Sequence, residues 1–139
     1  MTSESMPLAP RSPWLSLALL LATIALGVAV RFAHIGLPSS VVKYGGSMLW
    51  ALAIYWFVSA LLPWWRLSAV VLLTAAIATA VEFGKLCHWP WLEAFRSTLA
   101  GVLLLGRYFS FRDIAAYWLA ICAGALIDWL IRHGAVSET

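Results

Sequence analysis

The stretch SPWLSLALLLATIALGVAVR, residues 12–31, runs for nineteen positions without a charge before it reaches Arg31. About 20 apolar residues, rising ~1.5 Å each, carry a helix across the hydrocarbon core of a bilayer. The stretch therefore predicts a spanning helix over about 13–32, broken afterwards by Gly36, Leu37 and Pro38. The same reading recurs along the chain. Residues 44–65 carry no charge and close on Pro63, Trp64, Trp65 and Arg66, which predicts a span over 44–63. Residues 67–81 are apolar and continue through Glu82 to about Cys87, giving a span over 67–87. Residues 114–131 are interrupted only by Asp128, giving a span over 112–131. The expected fold is an all-α, polytopic membrane bundle of four transmembrane helices, a single integral domain over 1–139 in the cell membrane.

Bulk composition agrees. Of 139 residues, 63% are hydrophobic and 11% charged, and the mean hydropathy is +0.91. A soluble domain carries roughly 25% charge and 45–50% apolar residues, and one this small has too much surface to hide such a load from water. Soluble, disordered and nucleic-acid-binding classes are excluded. The net charge of +3 comes from single residues at the ends of apolar runs, with no basic stripe to follow phosphates. These are membrane-flanking charges. Cys87 and Cys122 form no CxxC and no zinc spacing, so no metal or cofactor is expected. Arg11 ahead of the first apolar run has the look of a secretory leader. The run is too long for one and lacks an Ala-x-Ala exit, so it reads as a retained helix.

The connection from His88 to Arg112 breaks the pattern. It holds Trp89, Pro90 and Trp91, then Glu93 and Arg96, then an apolar piece over 99–105 too short to span alone. A re-entrant or interfacial helix over about 90–106 is expected. A fifth, short span is the alternative, and it would put the chain ends on opposite sides. Trp14, Trp64, Trp65, Trp89 and Trp91 fall at span ends, as an interfacial aromatic belt requires.

Two stripes of small residues recur every four positions: Ala76, Ala80 and Gly84 in the third span, Ala116, Ala120 and Gly124 in the fourth. Small residues let backbones approach where lipid gives no hydrophobic drive. The stripes predict that these two spans pack on each other.

With four spans, the first and third connections share one side. That side collects Arg31, His34, Lys43, Glu82, Lys85, His88, Glu93, Arg96, Arg107, Arg112 and Asp113. An acid inside an apolar helix is expensive, so Glu82 is expected to face protein or water and to be paired, with Lys85, Arg96 or Lys43 as candidates. The packed stripes would bring Asp113, with Tyr117 one turn below it, close to Glu82. The expected polar pocket comprises Lys43, Tyr44, Glu82, Lys85, Arg96, Arg107, Asp113 and Tyr117. It reads either as an ion-pair knot or as a pocket. Asp128 is assigned a surface pair with Arg132, four residues on. Ser47, Ser97 and Ser110 lack a GxSxG context, and no phosphate-cradling glycine loop occurs. Six Lys or Arg on the polar side against three on the other favour a cytoplasmic polar side. Setting aside Lys43, Lys85 and Arg96 as site residues leaves a tie.

The ordered set Lys43, Tyr44, Gly45, Gly46, Leu49, Trp50, then Glu82, Lys85 and Leu86, then Trp91, Leu92, Glu93 and Arg96, then Leu105, Gly106, Phe109, Asp113, Tyr117 and Gly124 resembles a family of small bacterial inner-membrane proteins known as a domain of unknown function. That family is in turn similar to the VanZ-like family, whose VanZ member is associated with teicoplanin resistance. The likeness covers about 31–128. In the VanZ-like pattern a Lys opening the second span falls on Lys43. Its Glu-x-x-Gln falls on Glu82 and Lys85. Its Arg followed by Asp-x-x-x-Asn falls on Arg107 or Arg96, then Asp113 and Tyr117. Lys85 and Tyr117 depart from the usual Gln and Asn, the acid that normally accompanies the first Lys is absent, and residues 89–106 look added.

The resemblance implies a membrane protein that binds a lipid or glycolipid headgroup in the polar cluster and serves envelope maintenance or glycopeptide tolerance. Lys43, Lys85, Arg96 and Arg107 suit an anionic headgroup. Two other readings stay open: an enzyme acting on a lipid-linked substrate with Glu82 or Asp113 as base, and a small transporter, which would need a homo-oligomer. The expected partners are membrane lipids and no nucleic acid; the oligomeric state is open.

Overall fold

The computed structural model describes residues 8–33, 36–106 and 108–138. Among these there is no strand. The elements are α1 (Pro13–Phe32), α2 (Ser39–Leu61), α3 (Leu67–Gly84), α4 (Pro90–Arg96), α5 (Leu99–Leu104) and α6 (Phe111–Ser137). Four of them, α1, α2, α3 and α6, are long and apolar enough to cross a membrane, so the chain is an all-α polytopic bundle.

Each boundary has a local cause. Ser12 accepts a hydrogen bond from the Leu15 N–H at 3.3 Å, and Pro13 fills the first helical position, where its missing N–H costs nothing. Pro38 precedes α2 and Pro63 follows it. Three ends differ from the charge-free runs. Helix α2 begins at Ser39, ahead of Lys43; α3 stops at Gly84; and α6 continues through Asp128 and Arg132 to Ser137. Charges limit how deep a helix sits in lipid, whereas prolines and caps limit the helix itself.

The 90–106 segment forms two short helices joined at Ser97 and Thr98. Seven and six residues reach only about 9–11 Å, so neither supplies the alternative fifth span. The corner between them needs Gly101: a Cβ there would lie 1.9 Å from the Phe95 carbonyl oxygen.

The core lies among α2, α3 and α6, where Ala51, Tyr55, Trp56, Val58, Val70, Ala78, Tyr117, Ala120 and Ile121 are buried. Helix α1 packs on α2 and buries only Ser16 and Thr23. Its Leu17, Leu21, Ile24, Leu26 and Val28 are exposed, as acyl tails rather than water would tolerate.

The small-residue stripes are split. Ala116, Ala120 and Gly124 are buried. A Cβ on Gly124 would meet Leu52 at 2.7 Å and Tyr55 at 3.2 Å, so the close approach is to α2. Ala76 and Ala80 are exposed, and nothing lies within 4 Å of a Cβ on Gly84. Helix α3 instead turns Val70, Thr74, Ala78 and Glu82 inward. These also recur every four residues, two positions away on the helix. Periodicity identified a stripe, and the buried acid at its end identifies which stripe faces protein.

Candidate functional site

Glu82 is fully buried in the last turn of α3. Its two oxygens are supplied with donors. Lys85 Nζ donates to Oε2 at 2.5 Å and the Tyr117 hydroxyl donates to the same atom at 2.7 Å. The backbone N–H of Ser110 donates to Oε1 at 2.8 Å. Lys85 is the partner among the three expected candidates, placed by the i,i+3 spacing. A buried ion pair holds only when its remaining hydrogen-bonding capacity is met, and here a tyrosine and a helix start meet it.

Arg96 is equally buried but serves another end. Its guanidinium donates to the carbonyls of Gly84 at 2.6 Å and Cys87 at 2.9 Å, and more weakly to that of Lys85 at 3.5 Å. These carbonyls belong to the end of α3 and the turn after it, where that of Gly84 also accepts the Cys87 N–H at 3.1 Å. Arg96 therefore closes α3 by pinning α4 beneath it. Glu93 accepts from Arg96 at 3.2 Å and shares a hydrogen bond with His88 at 3.1 Å. The bond with His88, and then that with Arg96, hold the Glu93 carboxyl below its ordinary value of 4.5.

Asp113 stands apart. Ser110 is the N-cap of α6, so Asp113 occupies the third helical position, from which an acid ordinarily reaches back to the N-cap N–H. Glu82 has taken that N–H. Asp113 is 4% exposed, and among the described residues its side-chain partner is the Ser47 hydroxyl at 3.4 Å. Ser47 has a single hydrogen to give, and the carbonyl of Lys43, at 3.1 Å, competes for it. Lys43 is exposed, with its ammonium 5.5 Å from the Tyr44 ring centroid, and the half-buried Tyr44 lies beside it. The structure thus gathers Glu82, Lys85 and Tyr117 into one cluster and links Asp113 to α2 through Ser47. It sets Arg96 to capping and leaves Lys43 free of Glu82. Arg107 lies outside the described residues.

A second ionic cluster occupies the opposite end, about 22 Å along α6 at ~1.5 Å per residue. Asp128 is buried and does not form the expected surface pair with Arg132. Its Oδ2 accepts from Arg11 Nη2 at 2.7 Å, from Arg11 Nε at 3.0 Å and from the Tyr55 hydroxyl at 2.8 Å. Arg11 also donates to the Trp65 carbonyl at 3.1 Å, in the turn after α2. Arg132 turns away and donates from Nε to the Ala9 carbonyl at 2.7 Å. Arg11 and Tyr55 were not singled out for a site. The signal that points to them is Asp128 itself, an acid deep in an apolar run that must find a partner inside the bundle.

A family model described as a protein of unknown function, DUF2809, matches residues 36–121. No solved structure matches the chain.

Proposed function

From the geometry of a chain that belongs to DUF2809, a family of proteins of unknown function, we propose a multi-pass cell-membrane protein that holds a lipid or glycolipid headgroup at the Asp113 corner. The carboxylate of Asp113 takes hydroxyl or ammonium donors of the headgroup, and the ammonium of the exposed Lys43, one turn from Ser47 on α2, answers its phosphate. The observation that carries this reading is Asp113 itself, a buried carboxylate served by one shared hydroxyl among the described residues. Burying such a group under-bonded is costly, and a donor-bearing ligand removes the cost. The proposal narrows the expected ligand set: Lys85 and Arg96 already serve Glu82 and the α3 carbonyls, so neither contributes charge to the headgroup.

Catalysis by Glu82 is disfavoured on the same grounds. A general base must reach the proton it removes, and Glu82 is sealed with donors on both oxygens. The VanZ-like resemblance, whose Lys and Asp positions fall on Lys43 and Asp113, adds envelope maintenance or glycopeptide tolerance as the proposed role. Native mass spectrometry of the detergent-extracted chain tests the reading. Wild type is expected to retain a lipid-mass adduct that Asp113→Asn and Lys43→Gln each lose at least tenfold. An adduct retained equally by all three overturns it.

A further inference from the structure

The opposite end holds a cavity of about 170 Å³ between the start of α1 and the last turns of α6. Its apolar wall includes Leu15, Leu19 and Trp56, and its charged lining is Arg11, Asp128 and Arg132. Two cations against one anion leave the lining at +1. The anion is already paired through one oxygen, since Asp128 Oδ2 accepts two N–H groups of Arg11 and the Tyr55 hydroxyl. Arg132 is not. Its Nε is held by the Ala9 carbonyl, but among the described residues its buried Nη1 has no hydrogen-bond partner. A buried guanidinium N–H without an acceptor costs as much as a broken bond, and such an atom in a native fold asks for an explanation. Fixing Nε to the backbone aims the remaining N–H groups in one direction, the fork geometry that binds phosphate.

The depth is also specific. Trp14 and Trp64 are strongly exposed at this same end, with Trp65 and Trp129 partly so. Indole rings settle at headgroup level, where the phosphates of phospholipids lie. The cleft therefore has the Arg132 side chain in its lining at phosphate depth and an apolar wall beside it.

We infer that this cleft is a second, independent site, which binds the phosphate group of an anionic phospholipid on the Arg132 guanidinium with its glycerol stem against Leu15 and Trp56. It shares no residue with the Asp113 corner, so either site can fail without the other.

The test is thermal unfolding of the detergent-purified full chain, carrying Lys43→Gln to take the Asp113 corner out of the readout, with added phosphatidylglycerol, diacylglycerol or inorganic phosphate. Phosphatidylglycerol is expected to raise the midpoint, and diacylglycerol and inorganic phosphate to leave it in place. Arg132→Met is expected to abolish the rise. Ala135→Phe, which fills the cleft from a lining position while keeping Arg132, is expected to abolish the rise even should Arg132→Met fold poorly. An equal rise with diacylglycerol, or one that survives Ala135→Phe, overturns the site. A full rise with inorganic phosphate alone overturns the lipid as its source.

Discussion

The two ends of the bundle use the same three parts. Asp128 is met by a tyrosine hydroxyl and an arginine; Glu82 is met by a tyrosine hydroxyl and a lysine. They differ in how far those parts travel. Arg11 and Tyr55 come from 117 and 73 residues away. Lys85 is three residues from Glu82 on the same helix end, and only Tyr117 is distant. The first cluster is a tertiary tie that joins the chain segment before α1 to α2 and α6. The second is a local pair that borrows one hydroxyl and one helix start. Buried charge is thus handled in two ways, and the two respond differently to the loss of a partner.

The largest effect is expected from Asp128→Ala. It strands the Arg11 guanidinium without a carboxylate, and breaking a buried pair from one side costs about 3–5 kcal/mol. Denaturant unfolding in micelles measures this. Glu82→Gln is expected to cost less, about 1–3 kcal/mol. The amide still accepts from Tyr117, and Lys85, near the end of its helix, can extend its flexible stem toward the interface. Equal losses in the two variants would break the comparison and make the ends equivalent. The smallest effect sharpens it at the periphery. Because the folded Glu93 carboxyl sits below its ordinary 4.5, its contribution is complete above that value and fades as pH falls through the lower, folded value. Wild type should therefore lose more stability than Glu93→Gln when the midpoint is followed downward in pH from neutrality. Parallel curves would show that the exposed His88–Glu93–Arg96 contacts contribute nothing measurable, as surface pairs often do.

The helices were legible because each long apolar run is an independent statement about lipid, and no distant residue can overrule it. The span expected over 13–32 coincides with α1, whose start is marked by Ser12 and Pro13. Helix α2 starts ahead of the charge-free run because Pro38 sets its beginning, and a helix accommodates Lys43 readily. Glu82 and Lys85 were legible as a pair because their spacing is local. Arg11 was not, because no spacing rule reaches across 117 residues. The nearer Arg132 offered a plausible i,i+4 partner for Asp128 but instead bonds Ala9. Asp113 lies at the third position of α6, where local spacing alone pairs an acid with the N-cap N–H. Its isolation follows from Glu82 taking the Ser110 N–H, a competition visible only once α3 and α6 are side by side.

The tie between Arg11 and Asp128 also sets a timetable for biogenesis. Arg11 leaves the ribosome 117 residues ahead of its carboxylate. At roughly 5–20 residues per second, the guanidinium waits on the order of ten seconds for its counter-ion. Over that interval the three earlier long helices lack the carboxylate that ties this end of the bundle, so its closure waits on the synthesis of α6. A nascent protein stalled before α6 would present Arg11 without the carboxylate that neutralises it in the folded chain.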